Sequence, residues 1–205
     1  ISAGAAYLFS DLGDGFESSL SAENALVRIL GEDAGDHFGE SIQRCGDING
    51  DGLSDSLVAA PDHASQATRA GRVYVLLSSS VPELQAQILA ASIPVQISST
   101  EHGAQLGRAM SCTSDFTGDG IPDLLLAAPF EDSSTLEAAG AIHLIPGGQS
   151  LASGSINDTA VWSIRGDQAE AYFGSSLAVG DLDGDGMDDL LVGAPGFSNE
   201  DGAAF

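Results

Sequence analysis

The chain has 205 residues with 30 acidic and 6 basic side chains, a formal charge of −24 and a pI near 4.1. Six scattered cations cannot form the basic footprint that neutralises a polyphosphate, so nucleic acid and anionic membrane are excluded as main partners, and a cationic partner fits better. Hydrophobic residues at 43% and a mean hydropathy of +0.10 still allow a packed core of one or two domains.

No run of about 18 apolar residues offers a membrane span, and no basic stretch followed by an apolar one offers a signal peptide. The sequence opens at Ile1 and stops at Phe205 inside an apolar stretch, which suggests a fragment or a processed product. Two cysteines are too few for a disulfide framework. Cys45 falls seven residues after Phe38 and Cys112 six after Leu106. On strands that offset points them to opposite faces, so two separate buried thiols are expected rather than a bridge.

In chain order, Ala3-Gly4-Ala5-Ala6-Tyr7-Leu8-Phe9 and Leu26-Val27-Arg28-Ile29-Leu30 read as strands ahead of a first full unit. That unit runs from Phe38-Gly39 through Gly46-Asp47-Ile48-Asn49-Gly50-Asp51-Gly52 to Ala59-Ala60-Pro61. It continues through a polar loop to the strand Ala70-Gly71-Arg72-Val73-Tyr74-Val75-Leu76. Ser80-Val81-Pro82-Glu83, followed by Leu84, Ile88 and Ala91, has a cap, an early Pro and i, i+4 spacing, and predicts a short inserted helix. Val95-Gln96-Ile97 then closes the unit as a further strand.

The pattern restarts at Leu106-Gly107, passes Asp115-Phe116-Thr117-Gly118-Asp119-Gly120 and Ala127-Ala128-Pro129, and reaches the strands Ala139–Ile145 and Val161–Ile164. It starts a third time at Phe173-Gly174, through Asp181-Leu182-Asp183-Gly184-Asp185-Gly186 to Gly193-Ala194-Pro195, with Asp201–Phe205 beginning another small-residue strand. Phe38, Leu106 and Phe173 stand 68 and 67 residues apart, so the chain is an array of one repeated unit of about four strands. The runs Leu57–Ala60, Leu124–Ala128 and Leu190–Ala194 are short and apolar between Asp and Pro, which suits buried strands better than helices. The expected class is all-β.

Each unit carries one acidic loop. Asp47, Asn49, Asp51 and Asp55 place side-chain oxygens at loop positions 1, 3, 5 and 9, with the Leu53 carbonyl available at position 7 and Gly52 at position 6 for the turn. The second loop offers Asp115, Thr117, Asp119, Ile121 and Asp123, and the third Asp181, Asp183, Asp185, Met187 and Asp189. So many hard oxygens in a tight loop suit Ca²⁺, up to three ions at one per repeat, better than octahedral Mg²⁺. These are not EF-hands: position 12 is Val58, Leu126 or Val192 instead of a bidentate Glu. Acidic Gly-rich turns are common without a metal, but three in phase are not. The middle loop, with Thr117 and only three carboxylates, ranks below the first and third.

These residues resemble the FG-GAP repeat of integrin α-subunit β-propellers and their bacterial and archaeal relatives. The resemblance rests on Phe38-Gly39 and Phe173-Gly174, with Leu106-Gly107 as a departure, on the loops, and on the Ala-Pro pieces. It implies propeller blades of four antiparallel strands, with the calcium loop between the first two strands of each blade. The chain then forms one segment, residues 1–205, with repeat cores at 36–80, 104–147 and 171–205; the strands at 3–30 complete a preceding blade. Family propellers have seven blades, and three units cannot close a ring, so the remaining blades are expected in the same longer chain or in other copies.

The resemblance implies a non-enzymatic, extracellular or cell-surface platform for a protein or matrix ligand, with calcium structural. A carbohydrate-binding or surface-structural module of a secreted bacterial protein, and the non-catalytic propeller of a larger phospholipase D-like hydrolase, are the alternatives. His37, His63, His102 and His143 share no spacing with a Ser or Cys nucleophile, and no Gly-x-Ser-x-Gly elbow occurs. Arg165-Gly166-Asp167 spells an adhesive tripeptide, but Gly166 aligns with Gly31 at an ordinary repeat position. Trp162 and Tyr172 read as packing residues, and Asn157-Asp158-Thr159 is a glycosylation sequon.

Overall fold

The computed structural model describes residues 2–9, 21–64, 67–81, 86–112 and 114–198. Strands β1 (Ala5–Leu8) and β2 (Val27–Leu30) come first, followed by β3 (Ser41–Arg44), β4 (Ser56–Ala60), β5 (Arg72–Leu76), β6 (Ala86–Leu89) and β7 (Val95–Ser98). Next are β8 (Met110–Ser111), β9 (Leu124–Ala128), β10 (Ala141–Ile145), β11 (Gly154–Ser155), the single helical turn α1 (Ile156–Thr159) and β12 (Trp162–Arg165). β13 (Ser176–Gly180) and β14 (Asp189–Gly193) end the series. The strand expected over 201–205 lies outside the described residues.

Two units form complete antiparallel blades. In one, β3, β4, β5 and β7 pair in sequence order with Ser41 opposite Ala59, Ala59 opposite Val73 and Val73 opposite Ile97. In the next, β8, β9, β10 and β12 repeat the arrangement, with Ala127 opposite Ile142 and Ile142 opposite Ile164. β1–β2 and β13–β14 are antiparallel pairs from the units on either side. The all-β, four-stranded reading therefore holds.

The central strands are apolar on both faces because each sheet is sandwiched between two others. Alternate side chains point in opposite directions. Val58, Ala60 and Tyr74 pack back onto Ala6, Val27, Ile29 and Phe38. Leu57, Ala59, Val73 and Val75 pack forward onto Leu106, Leu124, Leu126 and Ala128. Leu125, Ala127, Ile142 and Leu144 pack onto the third unit. The stack does not close into a ring. Leu191 is 60% exposed, whereas Leu57 and Leu125, at the same repeat position, are 0% and 1%.

The Phe-Gly and Ala-Gly pieces are two halves of one contact between blades. The amides of Phe38, Leu106 and Phe173 donate to the carbonyls of Ala3, Ala70 and Ala139, each at 3.0 Å. The glycine after each of those alanines has a positive φ, and a Cβ there would approach the next unit's backbone to 2.2–2.3 Å. Leu106 thus fills the place of Phe without changing the contact.

Among the described residues, the helix expected from Ser80 to Ala91 is not formed. Residues 82–85 lie outside the described residues, but Ala86–Leu89 is a strand that adds in parallel to β2, Ile88 opposite Ile29, between two short 3₁₀ turns. Tertiary pairing overrides local periodicity here: the outer edge of β2 offers a row of free backbone groups, and β6 covers it. β11 does the same for β7, Gly154 opposite Ile97.

The two cysteines are joined. Cys45 and Cys112 form a disulfide with Cα atoms 5.1 Å apart. The offset of one residue does point them to opposite faces of their own strands. Because consecutive blades stack face to face, the forward face of one and the backward face of the next are the surfaces that meet, and the expectation of separate thiols fails for that reason.

Candidate metal centres

All three acidic loops cap the hairpins between the first two strands of a unit, and all three fold alike. The position-1 carboxylate is the hub. Asp47 Oδ1 accepts the amides of Gly50 (2.7 Å) and Asp51 (3.0 Å), and its Oδ2 accepts that of Gly52 (2.7 Å). Asp115 holds Gly118, Asp119 and Gly120 at 2.6, 3.1 and 2.6 Å. Asp181 holds Gly184, Asp185 and Gly186 at 2.7, 3.1 and 3.0 Å. Gly52, Gly120 and Gly186 have φ of 87°, 86° and 88°, a turn a side chain would strain. Three amides occupy three of about four lone-pair sites of each carboxylate, leaving room for one further partner.

At position 5, Asp51, Asp119 and Asp185 accept the amides of Leu53, Ile121 and Met187 at 2.8–2.9 Å. At position 3, Asn49 and Asp183 accept the position-5 amide, while the Thr117 hydroxyl lies between Asp115 and Asp123. Leu53 and Met187 expose their side chains, so only their carbonyls are available to the loop.

Position 9 sits underneath. Asp55 and Asp123 are each 1% exposed. Asp55 Oδ2 accepts the Ile48 amide at 3.1 Å, Asp123 Oδ2 those of Phe116 and Thr117 at 2.8 Å, and Asp189 Oδ2 that of Leu182 at 2.9 Å. The other oxygens of Asp55 and Asp123 take the amides of Ser78 and Gly147, which follow the third strand of the same blade. Sequence spacing alone did not point to those two donors, because they lie more than 20 residues away.

The carboxylates fall into a buried group and an exposed one. Burial pushes Asp55 above the ordinary carboxylate range, against the pull of two amides, and Asp51 and Asp47 nearby add to the effect. Exposed Asp51 lies below that range, held there by the Asn49 amide and the Leu53 N–H, and Asp115 lies below it through the N–H of Gly120 above all. Carboxylate oxygens of Asp115, Asp119 and Asp123 lie within 4.8 Å of one another, as do those of Asp181, Asp183 and Asp189. In the first loop the Asn49 amide instead donates to Asp51 at 3.0 Å. The middle loop, with three carboxylates like the first and one fewer than the third, is therefore as tightly gathered as the third. Like charges this close cost Coulomb energy that a divalent cation removes. An all-oxygen donor set with a buried anion at its base fits a hard divalent ion.

The remaining sequence candidates have structural places. Arg165 of the adhesive tripeptide pairs with buried Glu131. Gly166 is packed so that a Cβ would lie 2.1 Å from the Ala139 carbonyl oxygen. The tripeptide is therefore part of a blade junction. His143 is 1% exposed, its Nε2 2.8 Å from Glu131 and its Nδ1 2.8 Å from the Ser163 hydroxyl. Two Asp-His dipeptides are bonded crosswise, His37 to Asp62 and His63 to Asp36, both at 2.6 Å. Tyr172 packs its ring on Phe130 with centroids 5.1 Å apart, and Trp162 lies exposed on β12. No described helix is long and apolar enough to cross a membrane.

Sequence comparison agrees with the repeat geometry. The family model for the FG-GAP repeat matches residues 38–76, 109–145 and 173–205, more than half of the chain. The chain is 31% identical to integrin alpha-PS5 of Drosophila melanogaster over 96% of its length, covering 18% of that protein. It is 30% identical to integrin alpha-5 of Xenopus laevis over 84% of its length, covering 16% of that protein. Phosphatidylinositol-glycan-specific phospholipase D of Mus musculus is 27% identical over 75% of the chain, which covers 18% of it. The chain thus spans less than a fifth of these relatives.

Proposed function

The chain belongs to the FG-GAP repeat family, and from that premise we propose that it is a stretch of an extracellular, calcium-loaded β-propeller that serves as a platform for a protein or matrix ligand. Calcium is structural in this reading: it neutralises the gathered carboxylates and holds the hairpin loops, and the chain performs no chemistry of its own. The remaining blades come from the same longer chain or from other copies. The observation that carries the reading is the threefold recurrence of one loop geometry, with hub carboxylate, glycine turn and basal carboxylate in the same places. The buried disulfide adds support, since such bridges persist in oxidising, extracellular surroundings.

Calorimetric titration of the chelator-stripped chain with Ca²⁺ tests this. Two or three sites per chain are expected; absence of binding overturns the calcium reading. A second reading, the propeller portion of a larger hydrolase, is favoured by the likeness to the phospholipase D. A catalytic domain elsewhere in the full-length protein would decide for it.

A further inference from the structure

We propose that the Cys45–Cys112 bridge and Gly147 are positioning residues that weld the first and second acidic loops into one two-cation unit, while the third loop binds independently. The inference rests on the calcium reading above.

The bridge lies at the base of both loops. Cys45 N donates to Asp55 O at 2.8 Å and Asp55 N to Gly46 O at 3.0 Å, the pair of bonds that closes the first loop; Asp123 N donates to Ser114 O at 2.8 Å and closes the second. Both sulfur-bearing residues are buried, so the link is a fixed strut beyond easy reach of solvent reductants. Above it, a continuous backbone path joins the two basal carboxylates. Asp55 accepts the Ile48 amide, the Ile48 carbonyl accepts the Gly148 amide at 2.7 Å, and the adjoining Gly147 amide donates to Asp123 at 3.1 Å. Gly147 has no room for a side chain: a Cβ would lie 2.3 Å from the Pro122 carbonyl oxygen and 3.0 Å from that of Ile48. A displacement of either loop must therefore move the other.

The third loop is held differently. The residues matching Cys45 and Cys112, counted from the Phe-Gly start of the unit, are Gly180 and Val179. The described contacts to the second loop are a side-chain bond from Ser114 to Asp188 and the packing of Phe116 in one apolar cluster with Val179 and Leu190. Residues behind metal ligands typically change affinity about 10–100-fold when removed, because they fix the orientation of the ligands. That effect should fall on the first two loops alone.

Two backgrounds isolate the sites: Asp181→Asn leaves the first and second loops, and Asp47→Asn with Asp115→Asn leaves the third. Calcium titration of each, with and without Cys45→Ala/Cys112→Ala, should give at least about tenfold weaker binding in the first background and no change beyond about twofold in the second. An equal loss in both, or in neither, overturns the proposal and leaves the bridge a staple of the fold only. Gly147→Ala, with the bridge intact, makes the same selective prediction if the cysteine variant does not fold. If neither background binds Ca²⁺ with the bridge intact, the calcium reading itself fails, an outcome distinct from binding that is indifferent to the bridge.

Discussion

Leu106 lies with its backbone against Gly71 as Phe38 lies against Gly4 and Phe173 against Gly140: the amide nitrogen of Leu106 would be 2.3 Å from a Cβ placed on Gly71. The contact is backbone to backbone, so a flexible side chain cannot yield to relieve it. Gly71 also has φ 89°. Gly71→Ala should therefore destabilise the chain by about 3 kcal/mol, from overpacking and left-handed strain together, read as a lower midpoint in urea. Leu106→Phe should cost far less, because the repeat uses both residues at that place.

The disulfide closes a sequence separation of 67 residues. On the chain-entropy account, removing it frees the unfolded state by about 4 kcal/mol. Cys45→Ala/Cys112→Ala should therefore lower the thermal midpoint markedly in the presence of saturating calcium. A midpoint unchanged within a degree or so would mean that inter-blade packing alone fixes the junction.

That junction also marks where the sequence could be read and where it could not. The strands, the loops and the repeat were legible because each is a local pattern recurring in phase, from Leu57–Ala60 to Leu190–Ala194. Which face of one blade meets which face of the next is a property of the stack, and Cys45 and Cys112 could be paired only once that was known. Ile88 failed for a related reason: its i, i+4 neighbours favour a helix locally, but the open edge of β2 offers a parallel partner. The amides of Ser78 and Gly147 beneath the acidic loops belong to the same class of long-range fact.

Glu131 gives a pH dependence. Its burial pushes the carboxyl upward, but the hydrogen bond and charge of His143 and the guanidinium of Arg165 outweigh that and hold it below its ordinary value of 4.5. A depressed folded value means the stabilisation is complete above pH 4.5 and fades as the pH falls through the lower folded value. Glu131→Gln leaves His143 and Arg165 without their anion and should cost roughly 3 kcal/mol at pH 6. Denaturation midpoints compared from pH 6 downward should show the two proteins converging below pH 4.5; a constant gap would remove Glu131 as the origin.

Calcium should stabilise in proportion to its occupancy of the folded state. An ion bound only by the native loops at 100 times its dissociation constant adds about 2.7 kcal/mol per site. The chelator-treated chain should therefore melt lower than the calcium-loaded one. Asp181→Asn removes the hub that collects three amides in the third loop, and should shrink the calcium-dependent rise by one site's share while leaving the rest. The same change at Asp47 acts on a loop coupled to its neighbour through Ile48 and Gly148, so it should remove more than one share. Equal losses from Asp47→Asn and Asp181→Asn, measured by calorimetry at fixed free calcium, would mean that the three loops take up their ions independently.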